Sequence, residues 1–456
     1  MAGGSIKHTA GYSQDISKRA AVAITSLAVF LALALGFGGG GRGFPIHNLI
    51  VQLAAILLLA LQPDLIRRFL RETPKGLLWL LAVTICVPLL QLVSLPPFLW
   101  TVMPGRESVE ISLALIGQEQ SWRPITVNSN LTLLSLLSLV PCLAVLIFAA
   151  AIPADRRWKV LILFAAVGSG VSLLLGGLQL VSGGQFQIYD GGNRHYLYAS
   201  FANHNSSGLF FVLALCALLA MPFRRLKGTW WPIAGIAMAC LLTVGVVLTQ
   251  SRSSTLLLIV PLLALGLRLF GGRKGPATRR VLIALFGGSL LVAFGAMLLL
   301  QNAKIAQTAD RFETTLEDRR PLIWADTVDA TKRFWPVGSG AGTFDEVYQL
   351  DEALEHVSGR RAGRAHNDYL EIALENGITG ILLIFAWCTY CAASLVKRRG
   401  LKDPLQIASA AALLSIALQS FVDYPLRNLA MLCVAAFYFS LLSVNTYSDG
   451  KESNIV

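Results

Sequence analysis

The 456-residue sequence contains few charged side chains. Only 14% of its residues are Asp, Glu, Lys or Arg, whereas soluble globular proteins carry about 25%. Hydrophobic residues make up 55% of the chain, and they recur in apolar runs of about 20 residues, which is enough to cross a bilayer core as a helix. Because a spanning helix satisfies all of its own backbone polar groups in lipid, the composition predicts an all-α, polytopic integral membrane protein.

The sequence also lacks the motifs of nucleotide, metal and thiol chemistry. It contains no G-x-x-x-x-G-K-[ST], H-E-x-x-H or G-x-S-x-G pattern, so cytoplasmic nucleotide chemistry is unsupported. All seven cysteines fall inside apolar runs, including the C-x-x-C pair Cys388 and Cys391, and we interpret them as buried thiols. The glycine run Gly36–Gly41 follows no strand, so we interpret it as a flexible turn instead of a dinucleotide-binding loop.

The apolar runs predict about twelve transmembrane helices. The expected spans are residues 20–37, 45–62, 76–95, 131–152, 158–181, 204–221, 229–249, 254–270, 280–300, 377–396, 405–422 and 428–444. The domain organisation follows from them. Residues 1–300 hold the first nine spans, residues 301–376 form one large polar loop, and residues 377–456 hold the last three spans and a tail.

The basic residues predict the orientation of these spans. Lys and Arg are dense in alternate connections, at residues 67–75, 156–159, 224–227, 268–280 and 397–402. Since such loops stay in the cytoplasm, we expect both termini in the cytoplasm and the large loop on the outer side of the membrane. The formal net charge of +12 is then mainly a topology signal, and we expect no nucleic-acid partner. The outward segments are residues 38–44, 96–130, 182–203, 250–253, 301–376 and 423–427.

The expected spans carry no ionisable residue near their middle. Ion-coupled transporters usually have such a residue at the bilayer midplane, so the pattern disfavours a transporter and places the chemistry at the outer surface. A membrane transporter and a structural membrane scaffold remain the alternatives to an enzyme. Mutation of the outward Arg and His residues separates these classes.

Two outward segments offer arginines to an anionic substrate. The turn Gln250-Ser251-Arg252-Ser253 places a guanidinium and hydroxyls beside a helix start, which suits a phosphate; the alternative is an arginine that reaches the lipid headgroups. In the large loop, Arg319 and Arg320 precede Pro321, a residue typical of a helix start, although Asp318 could pair with either arginine. Trp324, Val328, Thr331 and Trp335 then repeat at helical spacing, so we expect their face to pack on the membrane domain.

The end of the large loop contains His366, between Arg364 and a helix start, and we expect Arg364 and Asn367 to contact the substrate. Asn367 or Asp368 can cap that helix, and Glu371 would complete a capping box with Asp368. A helix N-terminus favours the neutral imidazole, which can act as a base, although a single histidine is more often structural. His356, His195 and His204 are the competing candidates.

Two further outward segments contain candidate substrate-binding residues. The stretch 182–205, which includes Arg194 and Asn203, is rich in Gly, Asn and aromatic residues that could shape a sugar groove; the alternative is an ordinary interfacial loop. The short turn 423–428 could place Arg427 at the same surface.

These residues resemble a known family. The stretch His366-Asn367-x9-Gly377-x2-Gly380 matches the H-[NSQ]-x9-G-x2-[GTY] motif of the O-antigen ligase and polymerase superfamily. Four more elements resemble that superfamily in the same order, and together with the motif they cover residues 180–430: Phe201-x-Asn203-His204-Asn205, Thr249-x-Ser251-Arg252, Arg320-x3-Trp324 and Gly338-Ser-Gly340-Ala-Gly342.

The resemblance implies a GT-C-like membrane glycosyltransferase that is inverting and metal-independent, and we expect no cofactor. Its donor would be a glycan on undecaprenyl diphosphate at the periplasmic face of the bacterial inner membrane. The acceptor would be a sugar hydroxyl, on lipid A–core for a ligase or on another lipid-linked repeat unit for an O-antigen or exopolysaccharide polymerase. Arg252 and Arg320 would bind the diphosphate, and His366 would be the base for the acceptor hydroxyl. Membrane lipids are the remaining partner. The alternative from another class is a transporter of a polysaccharide or a lipid-linked glycan.

Overall fold

The computed structural model describes residues 3–190, 192–221, 230–270, 319–357, 361–397 and 402–443, with a few positions between 279 and 295; of residues 3–18 it describes the backbone alone. Most of the expected span 280–300, the first part of the large loop and Asp318 lie outside the described residues.

The described residues are overwhelmingly helical. In chain order the α-helices are α1 (Gly3–Phe37), α2 (Pro45–Ala60), α3 (Pro63–Glu72), α4 (Lys75–Gln91), α5 (Pro97–Trp100), α6 (Glu107–Leu115), α7 (Ser129–Leu137), α8 (Leu139–Ala150), α9 (Ala154–Val181), α10 (His204–Leu218), α11 (Trp230–Leu248), α12 (Arg252–Leu257), α13 (Ile259–Phe270), α14 (Arg320–Phe334), α15 (Phe344–Asp351), α16 (Asp368–Lys397), α17 (Pro404–Gln419) and α18 (Leu429–Ser443). A two-stranded antiparallel sheet pairs Ser94–Leu95 with Arg123–Pro124.

Six helical stretches of the described chain are long and apolar enough to cross a membrane. A seventh candidate is the bent pair α2–α3, and α4, α10, α17 and α18 are shorter apolar helices. Each of the expected spans except 280–300 coincides with one of these helices. The protein is therefore an all-α, polytopic membrane protein, and the number of its spans stays a prediction.

The helices α10 and α18 form the centre of the bundle. Almost all of their residues are buried, as expected for helices that are apolar on all sides. The hydroxyl of Tyr438 on α18 donates a 2.6 Å hydrogen bond to the carbonyl oxygen of Leu213 on α10. Around this pair lie α8, α9, α11 and α17.

The glycine run at the end of α1 is a packed element. Residues Gly38–Gly43 form a 3-10 helix, and the Ala202 N–H donates a 3.0 Å hydrogen bond to the Gly39 carbonyl oxygen. A Cβ atom on Gly39 would collide with the carbonyl oxygen of Ser200. The interpretation of this run as a flexible turn is therefore wrong, because its glycines permit a close approach of two backbones.

The face on which α14 packs differs from the predicted one. Its buried side chains include Ile323, Thr327, Ala330 and Phe334, each one position before the predicted stripe. In that stripe, Val328 and Trp335 are exposed and Trp324 is only partly buried. A shift of one residue turns a helix face by about 100°, and α14 packs mainly on α15 and α16. The sequence pattern did not distinguish these two adjacent stripes.

The helix α16 contains a break at Gly377, where φ is 55°. The turn that follows α14 occupies this break: the N–H of Ile378 bonds to the carbonyl oxygen of Pro336 at 3.0 Å, and the N–H of Gly340 bonds to that of Glu375 at 2.8 Å. A Cβ atom on Gly377 would collide with the carbonyl oxygen of Pro336. The two glycine elements singled out in the sequence thus form one close backbone contact.

Candidate functional site

The turn before α16 holds His366 in a conformation that side chains rarely adopt. Its φ is 51°, in the left-handed region, where non-glycine residues are uncommon and often functional. Asn367 caps the helix: its Oδ1 accepts hydrogen bonds from the N–H groups of Tyr369 (3.0 Å) and Leu370 (3.2 Å). His366 therefore lies at a helix N-terminus, as the sequence predicted.

The capping box predicted for Asp368 and Glu371 does not form. The N–H of Asp368 donates instead to the carbonyl oxygen of Ser420 at 2.9 Å. The Glu371 carboxylate points back to the preceding turn, where Oε1 accepts from Nη1 of Arg364 at 2.6 Å and Oε2 accepts from the N–H of Ala365 at 3.2 Å. This glutamate therefore fixes the two residues before His366.

The peptide groups on both sides of Ala365 are held by side chains. The indole N–H of Trp324 donates a 2.9 Å hydrogen bond to the Ala365 carbonyl oxygen, while Glu371 accepts from its N–H. Trp324 lies one turn after Arg320 on α14, so this bond joins the arginine helix to the histidine turn. These bonds thus connect the helix that carries Arg320 to the turn that carries His366.

The imidazole of His366 faces a buried carboxylate. Its Nδ1 lies 3.4 Å from Oδ1 of Asp423, whose side chain is fully buried, while the His366 side chain is one-third exposed. The other Asp423 oxygen accepts a 3.1 Å hydrogen bond from Nδ2 of Asn203. The ring of Tyr424 packs edge-on against the imidazole at 4.9 Å between centroids, and burial is the main cause that raises the pKa of the Tyr424 phenol.

This arrangement suits a general base. A carboxylate beside one ring nitrogen orients a histidine and favours the tautomer in which that nitrogen carries the proton. Nε2 then keeps its lone pair, and the exposed part of the ring gives access to it. The 3.4 Å separation is longer than a good hydrogen bond, as catalytic contacts often are before substrate binds.

The start of α10 places His204 within electrostatic range of Arg320. Asn203 caps this helix through its Oδ1, which accepts from the N–H of Asn205 at 2.9 Å. The Nδ1 of His204 lies 2.9 Å from the Thr249 carbonyl oxygen, so this nitrogen is the donor. The charges of Asp423 and Arg320 both act on the His204 ring. The sequence pattern alone placed these residues in separate outward segments and did not relate them.

The start of α12 lies beside the same helix ends. Ser251 caps α12, its Oγ accepting from the N–H of Ser254 at 3.2 Å. Ser253 accepts a 2.9 Å hydrogen bond from Gln419 of α17, and Ser254 donates to the carbonyl oxygen of Asn205 at 3.2 Å. Arg252 is exposed and pairs with no carboxylate of the described chain. The N-termini of α10, α12 and α16 thus lie close to one another, and their N–H groups favour an anion.

Arg427 and Arg364 are engaged by buried acids. Arg427 lies 2.9 Å from the Glu375 carboxylate and 3.3 Å from those of Asp368 and Glu371. Burial alone would lower the pKa of Arg427, but the three carboxylates outweigh it and raise that pKa. The geometry favours a structural role for both arginines, and their predicted contact with substrate stays a prediction.

Other predicted binding residues also have structural partners. The two polar groups of the Asn203 side chain are used by Asp423 and by the helix cap, and Asn367 is a cap with 9% exposure. Arg319 donates to the carbonyl oxygen of His356. The exposed Arg194 lies against Gly184 in the 182–203 segment, away from any contact with His366. Binding of substrate by these residues stays a prediction.

The sequence reasoning missed Asp423 and the acids of α16 as parts of the site. One signal could have found the acids, because Asp368, Glu371 and Glu375 are spaced for one helix face directly before an apolar run. Buried carboxylates require a cation, and the nearby Arg427 is one. No such signal existed for Asp423, which lies 57 positions after His366.

Comparisons with known proteins agree with the resemblance. Residues 236–385 match the O-antigen ligase family. Over 200 residues the chain is 31% identical to the exopolysaccharide production protein ExoQ of Rhizobium meliloti (strain 1021). That alignment covers 41% of this chain and 43% of the relative, so the chain matches less than half of the relative's length.

Proposed function

We propose that the protein is a membrane glycosyltransferase of polysaccharide biosynthesis. The match of residues 236–385 to the O-antigen ligase family supports this proposal, and it confirms the resemblance to the O-antigen ligase-related superfamily. It transfers a glycan from an undecaprenyl-diphosphate carrier to a sugar hydroxyl at the periplasmic face of the inner membrane. Residues 301–376 form the periplasmic loop domain between the spans of residues 1–300 and 377–456, and both termini are cytoplasmic.

The observation that carries the proposal is the juxtaposition of His366 with Asp423 beside three helix N-termini. A base and an anion-binding surface are the two features that this transfer needs. His366 removes the proton of the acceptor hydroxyl. The oxygen then attacks the anomeric carbon, and the bond from that carbon to the diphosphate breaks with its electron pair left on the diphosphate.

The departing diphosphate gathers negative charge, which Arg252, Arg320 and the helix N-termini stabilise. Fixed guanidinium and N–H groups do this efficiently because they are already oriented before reaction. Removal of one such donor typically costs about 10²–10³ in rate. The exposed Arg252, which no carboxylate of the described residues neutralises, is well placed to accept a phosphate in bidentate geometry.

The acceptor distinguishes two candidate functions. The family match favours an O-antigen ligase, whose acceptor is lipid A–core. The similarity to a protein of exopolysaccharide production favours the second candidate, a polymerase whose acceptor is another lipid-linked repeat unit. Both use the same donor chemistry and the same residues.

The test uses a null strain that expresses the wild type, Arg320→Ala or Lys332→Ala at matched levels in the membrane. Lys332 is the control because it lies on the same helix with its side chain 72% exposed. Lipid-linked glycans, lipopolysaccharide and exopolysaccharide are separated on gels and stained individually. Polymer that accumulates on the carrier while lipid A–core stays bare identifies a ligase. Single repeat units without long polymer identify a polymerase. Profiles of Arg320→Ala that match the wild type would refute the proposed chemistry.

A further inference from the structure

The short helix α3 turns sharply away from a candidate span. It follows α2 with a bend of 83°, and Nε2 of Gln62 at the corner donates a 2.5 Å hydrogen bond to Oγ of Ser26 on α1. α2 begins next to Gly38–Gly43, which packs against Ser200 at the site end of the bundle. α3 therefore lies at the opposite end, and it runs close to the plane of the membrane if α2 crosses it.

The two faces of α3 differ in polarity. Leu65 and Phe69 are buried and lie with Ile147 of α8 around one small cleft. Leu70 is 57% exposed on the apolar side of the helix, and Arg67 and Arg71 lie on the other side. A helix of this kind, lying flat with an apolar face and a basic face, is typical of the membrane interface.

The basic face retains charge that the described residues do not neutralise. Arg68 pairs with Glu72 at 2.8 Å, but Arg67 lies 3.6 Å from Asp64 with both side chains at least 70% exposed, and such pairs contribute little. Arg71 contacts the Arg67 carbonyl oxygen at 3.4 Å and pairs with no carboxylate of the described chain. Lys75, at the start of α4, is also exposed.

An exposed tryptophan near this basic face indicates that the face lies at the headgroup region of the bilayer. Trp79, one turn into α4 after Lys75, is 71% exposed, and tryptophan favours the headgroup region of a bilayer. We propose that Arg67, Arg71 and Lys75 form a binding surface for the phosphates of acidic phospholipids. Guanidinium groups suit phosphate oxygens, and basic clusters beside a span bind acidic lipids. This inference does not depend on the proposed enzymatic function.

The test measures lipid preference of the full chain in phosphatidylcholine vesicles. Spin-labelled phosphatidylglycerol and spin-labelled phosphatidylcholine are added separately, and the fraction immobilised by the protein gives their relative association constant. The variant Arg67→Gln/Arg71→Gln is compared with Lys159→Gln/Lys402→Gln, which removes two exposed cations from other connections. Thermal unfolding in detergent checks that both variants are folded.

We expect the wild type to prefer phosphatidylglycerol and the α3 variant to lose at least about threefold of that preference at low ionic strength. The control should keep it, and added salt should weaken it in the wild type. An unchanged preference in the folded α3 variant, or an equal fall in the control, would overturn the proposal, since the effect would then be absent or due to net charge alone.

Discussion

The indole N–H of Trp324 donates a 2.9 Å hydrogen bond to the carbonyl oxygen of Ala365, the residue directly before His366. Trp324 follows Arg320 by one turn of α14. This side chain therefore links the helix of the arginine proposed to bind the diphosphate to the turn of the histidine proposed to take the proton, in addition to the packing of α14 on α16. The spacing Arg320-x3-Trp324, which resembles the superfamily, therefore places the arginine one helical turn from the tryptophan that bonds to the His366 turn.

Replacement of Trp324 by Phe should reduce glycan transfer about 3- to 10-fold, because one hydrogen bond contributes about 0.5–1.5 kcal/mol and its loss frees the His366 turn. The measurement is the rate of surface-glycan formation in the null strain at equal membrane abundance. Trp335→Phe is the matched control, since Trp335 lies at the end of the same helix and is 42% exposed. Equal activity of the two variants would contradict this role.

Replacement of Asp423 by Asn should lower transfer by about 10- to 100-fold, by analogy with the loss of a carboxylate that orients a metal-bound histidine. Asn keeps the size of the side chain but removes the charge that faces Nδ1 of His366. Asp329→Asn serves as the control, because Asp329 is a surface residue paired with Lys332. A wild-type rate for Asp423→Asn would exclude it as the partner of a catalytic base.

Replacement of Arg427 by Gln should destabilise the protein by about 3–5 kcal/mol, because buried carboxylates are left without their cation. Thermal unfolding in detergent measures this change. Arg42→Gln should change stability by less than about 1 kcal/mol, since both side chains of the Arg42–Glu346 pair are about one-third exposed and reach water.

Adding Glu375→Gln to Arg427→Gln gives a sharper test of the same network. The double variant removes one of the unpaired charges, so it should recover part of the lost stability. If it is as unstable as the single variant, electrostatic repulsion among the acids of α16 is not the cause of the loss.

Replacement of Gly377 by Ala should cost more than about 1 kcal/mol of stability, because its φ is positive and the added Cβ meets the Pro336 carbonyl oxygen. Gly363→Ala is the control, since a Cβ there meets no atom within 4 Å. Both are measured by thermal unfolding. A Gly377→Ala protein as stable as the control would show that the contact between the glycine turn and α16 can relax.

The candidate site could be predicted in part. The motif at His366 and the arginines at 252 and 320 were visible because local sequence carries them: a helix start, its cap and the adjacent cations lie within a few residues. The stripe on α14 was predicted one residue out of register, because two adjacent stripes of this helix have similar apolar spacing and only the packing on α15 and α16 distinguishes them. The acids that engage Arg427 and Arg364 were not anticipated, so both arginines were interpreted as substrate ligands.

The sequence by itself determined the class of the protein, because apolar runs of membrane length need no partner to reveal themselves. It also determined where helices begin, through caps such as Ser251, Asn203 and Asn367. Only the tertiary structure decided which helix starts meet. The approach of Asp423 to His366 and of Trp324 to Ala365 joins residues 57 and 41 positions apart, and such contacts follow from helix packing, which local sequence periodicity does not encode.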